Sequence, residues 1–269
     1  FTNNDSAYET AISLIKKGIS VKAIVDNREE VDSKLVDDVE KNNIKIFKGF
    51  TVTDTSGYKR INNISIMQLS KDGQKVVGSK INLTCDCLGV SGGWTPAVHL
   101  FTQSGGKLKF SDEDQVFIPN TYPSDQLSIG ACKGDLTLDS IFTNTPNSLK
   151  EFLDIKNTEY ENIEVLSSTN KSKRNIWLLP SDKVLGKTKS FVDFQNDATA
   201  KDIKLALREG FRSIEHVKRY TTTGMGTDQG KLGNMHALGI ISETTNTKMG
   251  DLGTTTFRPP YTPLTFGAI

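Results

Sequence analysis

Residues 191–240 read FVDFQNDATAKDIKLALREGFRSIEHVKRYTTTGMGTDQGKLGNMHALGI, three short helical patterns joined by two glycine-bearing turns. Thr199 and Asp202 have the spacing of a capping box ahead of the apolar run Ile203, Ala206 and Leu207. Gly210 stands where a left-handed residue would end that helix. Ser213 is placed to cap a second helix bearing Ile214, Val217 and Tyr220, and Leu232, Met235 and Leu238 mark a third. The pattern predicts a small all-α domain over 190–250.

Composition bounds the rest. A chain of 269 residues with 36% hydrophobic and 24% charged residues fits a globular protein of one large or two ordinary domains. Its formal charge of +1 gives no basis for a nucleic-acid partner or an anionic membrane surface. No apolar run approaches the roughly 18 residues of a membrane span. Cys85, Cys87 and Cys132 make an odd set with no second pair for a zinc site, which fits a reducing, cytoplasmic location. His99, His216 and His236 form no close pair, and no Ser/His/Asp or Cys/His set can be argued from spacing. The start without Met and the closing FRPPYTPLTFGAI lead us to expect an internal piece of a longer polypeptide.

The first residues, FTNNDSAY, lead into a helix with Ala7, Ala11, Leu14 and Ile15 on one face and Gly18 as its stop. Ile19 to Val25 is a β-rich run ending at Asp26. Strand, turn, helix, strand and acid form the skeleton of a dinucleotide-binding βαβ unit, with the acid about 20 residues past the turn. The turn departs from that fingerprint, because Asn3, Asn4 and Asp5 occupy the glycine positions and Asp5 puts like charge beside a phosphate. A helix N-cap on a retained fold is the competing reading. Ser33 to Asn42 reads as a second helix. Strands follow at Ile44–Phe47, Phe50–Thr53, Ile61–Leu69 and Lys75–Val77, with Asp72-Gly73 as a hairpin turn.

Ile81 to Leu100 carries a short strand, Leu88 to Val90, into Gly92-Gly93-Trp94-Thr95-Pro96. Downstream, Gly130 and Ala131 allow close backbone approach to a ligand, ahead of a helix from about Leu136. Residues 144–189 are polar and weakly periodic, and read as a connector.

These segments carry a resemblance. The meander after the βαβ unit is similar to the smaller nucleotide domain of two-dinucleotide-fold flavoproteins. Gly92, Gly93 and Trp94, with Gly130 and Ala131, resemble the places where that fold meets its cofactor. The helical block resembles the two-iron domain of bacterioferritin-associated ferredoxin, but Asp193, Gln195, Asp228 and Gly233 stand at its four cysteine positions. Thiolates hold such clusters, so no iron–sulfur cluster is expected. FTNNDSAY, GVSGGWTPAVHL, VDFQNDATAKDI and TTGMGTDQGK together resemble the α subunit of heterotetrameric sarcosine oxidase.

The resemblance implies an α/β fold: a partial two-dinucleotide-fold region followed by the helical domain. The expected boundaries are 1–84 for the inserted NAD-type domain and 85–145 for the return into the main FAD/NAD-binding domain. A connector at 146–189, the helical domain at 190–250 and a linker at 251–269 to an absent folate-binding domain complete the set. It implies oxidative demethylation of sarcosine to hydrogen peroxide in a complex with β, γ and δ subunits. NAD would sit noncovalently in α and FMN at the α/β interface, with FAD and tetrahydrofolate elsewhere. Thr222, Thr223, Gly224, Met225, Gly226, Gln229 and Lys231 are the expected FMN-facing residues, through a phosphate or a ring edge. Two other readings stay open: a related amine dehydrogenase that passes electrons to a carrier, and a non-catalytic assembly scaffold.

Overall fold

The computed structural model describes residues 1–123, 125–155, 175–259 and 262–268. They form two compact units, one of 1–93 with 175–188 and the other of 94–155 with 189–268.

The first unit is built in three layers. Helix α1 (Ser6–Lys16) leads to strand β1 (Ala23–Asp26), and α2 (Ser33–Glu40) leads to β2 (Lys45–Lys48), which pairs parallel with β1. Strands β3 (Phe50–Gly57), β4 (Ile61–Leu69) and β5 (Val76–Thr84) form an antiparallel meander. Successive side chains of β1 point to opposite faces, and that alternation assembles the layers. Ile24 packs with Tyr8 and Ala11 of α1 and Val36 and Val39 of α2. Its neighbour Val25 packs with Phe47, Ile64 and Ile66 on the meander side. The buried face of α1 runs through Tyr8 and Ala11, with Ile12 and Ile15 against it, so Leu14 is exposed instead of buried as the periodicity predicts.

The ladder extends past β1. Thr2 bridges in parallel to Asp26 on one side and to Ser91 on the other. Thr2 N–H donates to Val25 O, Asn27 N–H to Thr2 O and Ser91 N–H to Phe1 O, at 2.9–3.0 Å. The spatial order is β2, β1, Thr2, Ser91, with the chain leaving the Thr2 position in opposite directions. That is a topological switch point, where an open α/β sheet forms a crevice at its carboxyl ends.

The second unit begins with α3 (His99–Gln103) and a hairpin of β6 (Lys107–Ser111) with β7 (Val116–Thr121), which has no counterpart among the expected elements. Helix α4 (Leu138–Leu153) is capped by a reciprocal Thr137–Ser140 box and ends on Asp154 in the left-handed region. It runs on to Leu153, inside the stretch read as connector, with Pro146 within it. Strong caps at both ends explain how so polar a sequence stays helical. Within the rest of the expected connector, 156–174 lies outside the described residues, and 175–188 belongs to the first unit.

A short hairpin, β8 (Phe191–Asp193) with β9 (Ala198–Thr199), opens the last block. Helices α5 (Ala200–Arg208), α6 (Ile214–Thr221), α7 (Asn234–Thr245) and α8 (Met249–Leu252) follow. The block is therefore not all-α, because the hairpin is part of it. The predicted capping box is present: Asp202 accepts from Thr199 N–H at 2.9 Å, and Thr199 Oγ1 accepts from Asp202 N–H at 3.4 Å. Ile203, Ala206 and Leu207 are buried beneath it, as are Ile214 and Val217 on α6. The third helix differs from expectation. It starts after Gly233 and buries Ala237, Leu238, Ile240 and Ile241, leaving Leu232 outside and 73% exposed.

Candidate functional site

The turn between α6 and α7 is held from below by β8. Asp193 is buried, and its Oδ2 accepts from Gly224 N–H at 2.7 Å. Its Oδ1 accepts from the N–H groups of Gln195 and Asn196 at 2.8 and 3.0 Å. Gln195 adds a second pin, donating through Nε2 to Thr227 Oγ1 at 2.7 Å and accepting from Asp228 N–H at 3.2 Å. Gly233 packs directly on the Val192 carbonyl, where a Cβ would overlap it. All four positions at which the resemblance places cysteines thus lie where the strand and the turn meet. Asp193 and Gln195 secure the turn by hydrogen bonds. Among the described residues, no group of three or more His, Cys, Asp or Glu side chains is placed to hold a metal ion.

The glycines of this turn answer to close approach. Gly224 has φ +71°, and a Cβ there would lie 2.5 Å from Asn234 Oδ1. A Cβ at Gly226 would run into the Gln195 amide. Asn234 is buried under the turn and donates to Thr255 Oγ1 at 2.9 Å.

The expected FMN-facing residues divide. Thr222 and Met225 are exposed, whereas Thr223 and Gly224 are buried. Most backbone amides of this turn are used internally. The N–H groups of Thr223, Gly224, Met225, Asp228, Gln229, Gly230 and Lys231 are all bonded within the unit. A phosphate has little left to bind here, because an anion nest needs convergent unpaired donors. Beside the exposed Thr222 and Thr227, three large apolar side chains face outward at and next to the turn: Phe194 is 71% exposed, Met225 49% and Leu232 73%. Large side chains this exposed around a pinned backbone suit a planar ring edge or a partner surface.

Gln229 has φ +50° and ties the turn to two other segments. Its side chain donates to Gly226 O and accepts from Arg258 N–H, both at 2.9 Å. Its carbonyl lies 3.3 Å from His99 Nε2. His99 is buried and stacked on Phe257, with ring centroids 3.8 Å apart. Desolvation pushes its pKa down, against the carbonyl of Gln229, which raises it. A cavity of about 30 Å³ lies among His99, Lys231, Asn234, Leu238 and Phe257. That is room for a water molecule, not for a nucleotide. His99 and Asn234 are functional-looking residues that periodicity alone does not flag, since each is a single polar position on an apolar face.

The other predicted contacts are less converged. Gly130 has φ +64° and opens a 3-10 turn with Ala131, whose carbonyl and that of Gly130 accept from the residues that follow. Ala131 and Trp94 are exposed. In the first unit, Gly92 and Gly93 are also exposed, and Gly92 O accepts from Asn3 Nδ2 at 3.1 Å. Asp26, the acid of the expected βαβ skeleton, is fully buried, and its oxygens are taken by Arg28 and Tyr8. Asp5 does not cap α1 with its side chain, because the carboxylate bonds Arg28; Asn4 Oδ1 accepts from Ser6 N–H in its stead.

With this geometry in hand, comparison with known proteins is informative. Residues 187–269 match the family described as the sarcosine oxidase A3 domain. The whole chain is 34% identical to part of sarcosine oxidase subunit alpha of Rhizobium meliloti (strain 1021), covering 26% of that protein. It is 31% identical to part of sarcosine oxidase subunit alpha of Corynebacterium sp. (strain P-1), covering 28% of it. The chain therefore spans about a quarter of the length of these relatives. The fold is shared along the full chain with L-proline dehydrogenase from P. horikoshii, at a TM-score of 0.56 and 15% identity, covering 53% of that structure.

Proposed function

From a chain that is homologous throughout to part of sarcosine oxidase subunit alpha, we propose that it belongs to the α subunit of a flavin-dependent oxidase of sarcosine or a related N-methyl amine. We place its working surface at the turn from Thr222 to Lys231. The observation that carries this is a turn immobilised from within by Asp193 and Gln195 while Phe194, Met225 and Leu232 face outward. A surface that is rigid before binding loses little entropy on docking, which favours a defined partner.

In this reading a partner β subunit covers the apolar face, and an FMN at that interface meets the turn by its ring edge. The saturated amides argue against the phosphate. The flavins would supply oxidation of the amine to an imine and reduction of oxygen to hydrogen peroxide, with tetrahydrofolate taking the one-carbon unit elsewhere in the complex. This chain's residues would position and exclude water: Met225 and Leu232 desolvate the ring edge, Thr222 offers a hydroxyl and Lys231 a positive charge. Gly130 and Ala131 are the positions we assign to NAD contact in the second unit. A scaffold role suits the first unit, because its acid and its turn are bonded internally.

The experiment is to express the full-length parent with its neighbouring subunits, extract the cofactors and follow amine-dependent peroxide. Bound FMN with peroxide supports the oxidase. Turnover only with an artificial acceptor would point to a carrier-linked dehydrogenase. FMN content unchanged in Gly226→Val, Thr222→Ala and Lys231→Ala would remove the turn from the site.

A further inference from the structure

An open α/β sheet takes a dinucleotide across the carboxyl ends of its strands. The pyrophosphate lies at the N-terminus of the first helix, and an acid at the end of the second strand holds the ribose. In the first unit those two positions are Asp5 and Asp26, and one side chain already joins them. Arg28, 4% exposed, donates from Nη2 to Asp26 Oδ2 at 2.8 Å and from Nη1 to Asp5 Oδ1 at 2.7 Å. Its Nε lies 3.1 Å from Asp26 Oδ1. Asp26 also accepts from Arg28 N–H at 2.9 Å and from the Tyr8 hydroxyl at 3.0 Å. Neither oxygen of Asp26 is left for a ribose.

The opposite wall is closed by the two asparagines that replace glycines. Asn3 Nδ2 donates to Gly92 O at 3.1 Å, and Asn4 Nδ2 donates to Ser91 O and Ser91 Oγ at 3.2 and 2.9 Å. These bonds cross the switch point between Thr2 and Ser91, where a pyrophosphate needs bare backbone. Glycines keep that gap open; asparagines lace it.

We infer that the dinucleotide crevice of this unit is filled from within: the Arg28 guanidinium spans the ribose and pyrophosphate positions, and the unit keeps its shape with no nucleotide. An arginine beside the acid can instead serve an NADP 2′-phosphate. Here the guanidinium already bonds two carboxylates, so a phosphate would have to displace one of them. Burial works against the charge on Arg28, but the hydrogen bonds and charges of Asp26 and then Asp5 outweigh it and keep the group cationic. Burial, then the charge of Asp26, raises the Tyr8 phenol, which stays a donor.

The test uses the full-length subunit in its complex, stripped of bound nucleotide, and reads amide hydrogen exchange at Thr2–Asp5 and Asp26–Arg28. NAD or NADP should change those rates by less than about twofold; slowing of about tenfold by either would overturn the inference. In Arg28→Ala the same amides should exchange at least about tenfold faster, with millimolar guanidinium ion restoring protection and NAD not restoring it. Restoration by NAD but not by guanidinium would mean a nucleotide site blocked by the arginine. If Arg28→Ala does not accumulate, the wild-type comparison alone decides.

Discussion

Asp26 and Asp193 are both buried carboxylates that accept backbone N–H groups beside a turn, yet one faces a guanidinium and the other only neutral donors. Around Asp26 the neighbouring side chains turn inward: Asn3, Asn4 and Asp5 all bond within the first unit. Around Asp193 the inward bonds free the other side of the turn to display Met225 and Leu232. The difference teaches that the same device, a buried acid gathering a turn, can close a crevice or stiffen a contact surface. Which one results depends on whether the side chains left over are polar and short or apolar and long.

The largest test of this contrast is Arg28→Ala. It strands a fully buried Asp26 beside Asp5, and losing one partner of a buried pair costs about 3–5 kcal/mol, readable as a lower urea midpoint for the first unit. A loss below about 1 kcal/mol would show that the pair is relaxed by water and that the crevice is open. Asp193→Ala comes next. It removes the acceptor for Gly224 N–H and for two further amides, at about 1–3 kcal/mol for unsatisfied buried donors. If the turn meets FMN as proposed, the same variant should lower the FMN content of the assembled complex; a stable variant with normal FMN would break the link between pinning and the proposed function. Leu232→Asp and Phe194→Ser should leave the subunit's own stability within about 0.5 kcal/mol, since both side chains are solvent-facing. Their effect should appear as weakened subunit association on size exclusion.

The smallest effect is a slope. His99 is held below its ordinary pKa by desolvation, so below pH 6.5 the unfolded chain takes up a proton that the folded unit does not. The second unit should therefore lose stability as pH falls from 6.5 toward the folded-state pKa, and His99→Gln should flatten that part of the profile. An unchanged slope would mean that the ring is solvated in solution and that the packing of Phe257 on His99 is loose.

Much of this was legible before folding was considered. The Thr199–Asp202 box, the Gly210 stop and the β4 strand at Ile61–Leu69 are local in origin, and they fall where propensity and periodicity put them. Leu232 was assigned to a helix because its spacing to Met235 and Leu238 is helical; the helix instead begins after Gly233, which is seated against the Val192 carbonyl. Helix α4 outruns its expected end because two caps outweigh an interior proline. The hairpin of β6 and β7 rests on pairing between its strands, which residue type alone does not signal. Position makes Asp26 the acid of a βαβ skeleton, with Arg28 two residues further on. Nothing in one dimension says that Arg28 reaches back to Asp5.

Residue type and short-range spacing are enough for the α/β class, the absence of thiolates at 193, 195, 228 and 233, and the similarity to sarcosine oxidase α subunits, but not for the hairpin of β6 and β7 or the reach of α4. Only the tertiary structure decided where the buried charges went. Burial makes an unpaired ion costly, so each acid takes the donors that the folded chain brings within reach, and Asp5 and Asp193 take theirs from segments distant in sequence. Arg28 reached Asp26 and Asp5, and Gly224 reached Asp193; those two choices separate a closed crevice from an open face.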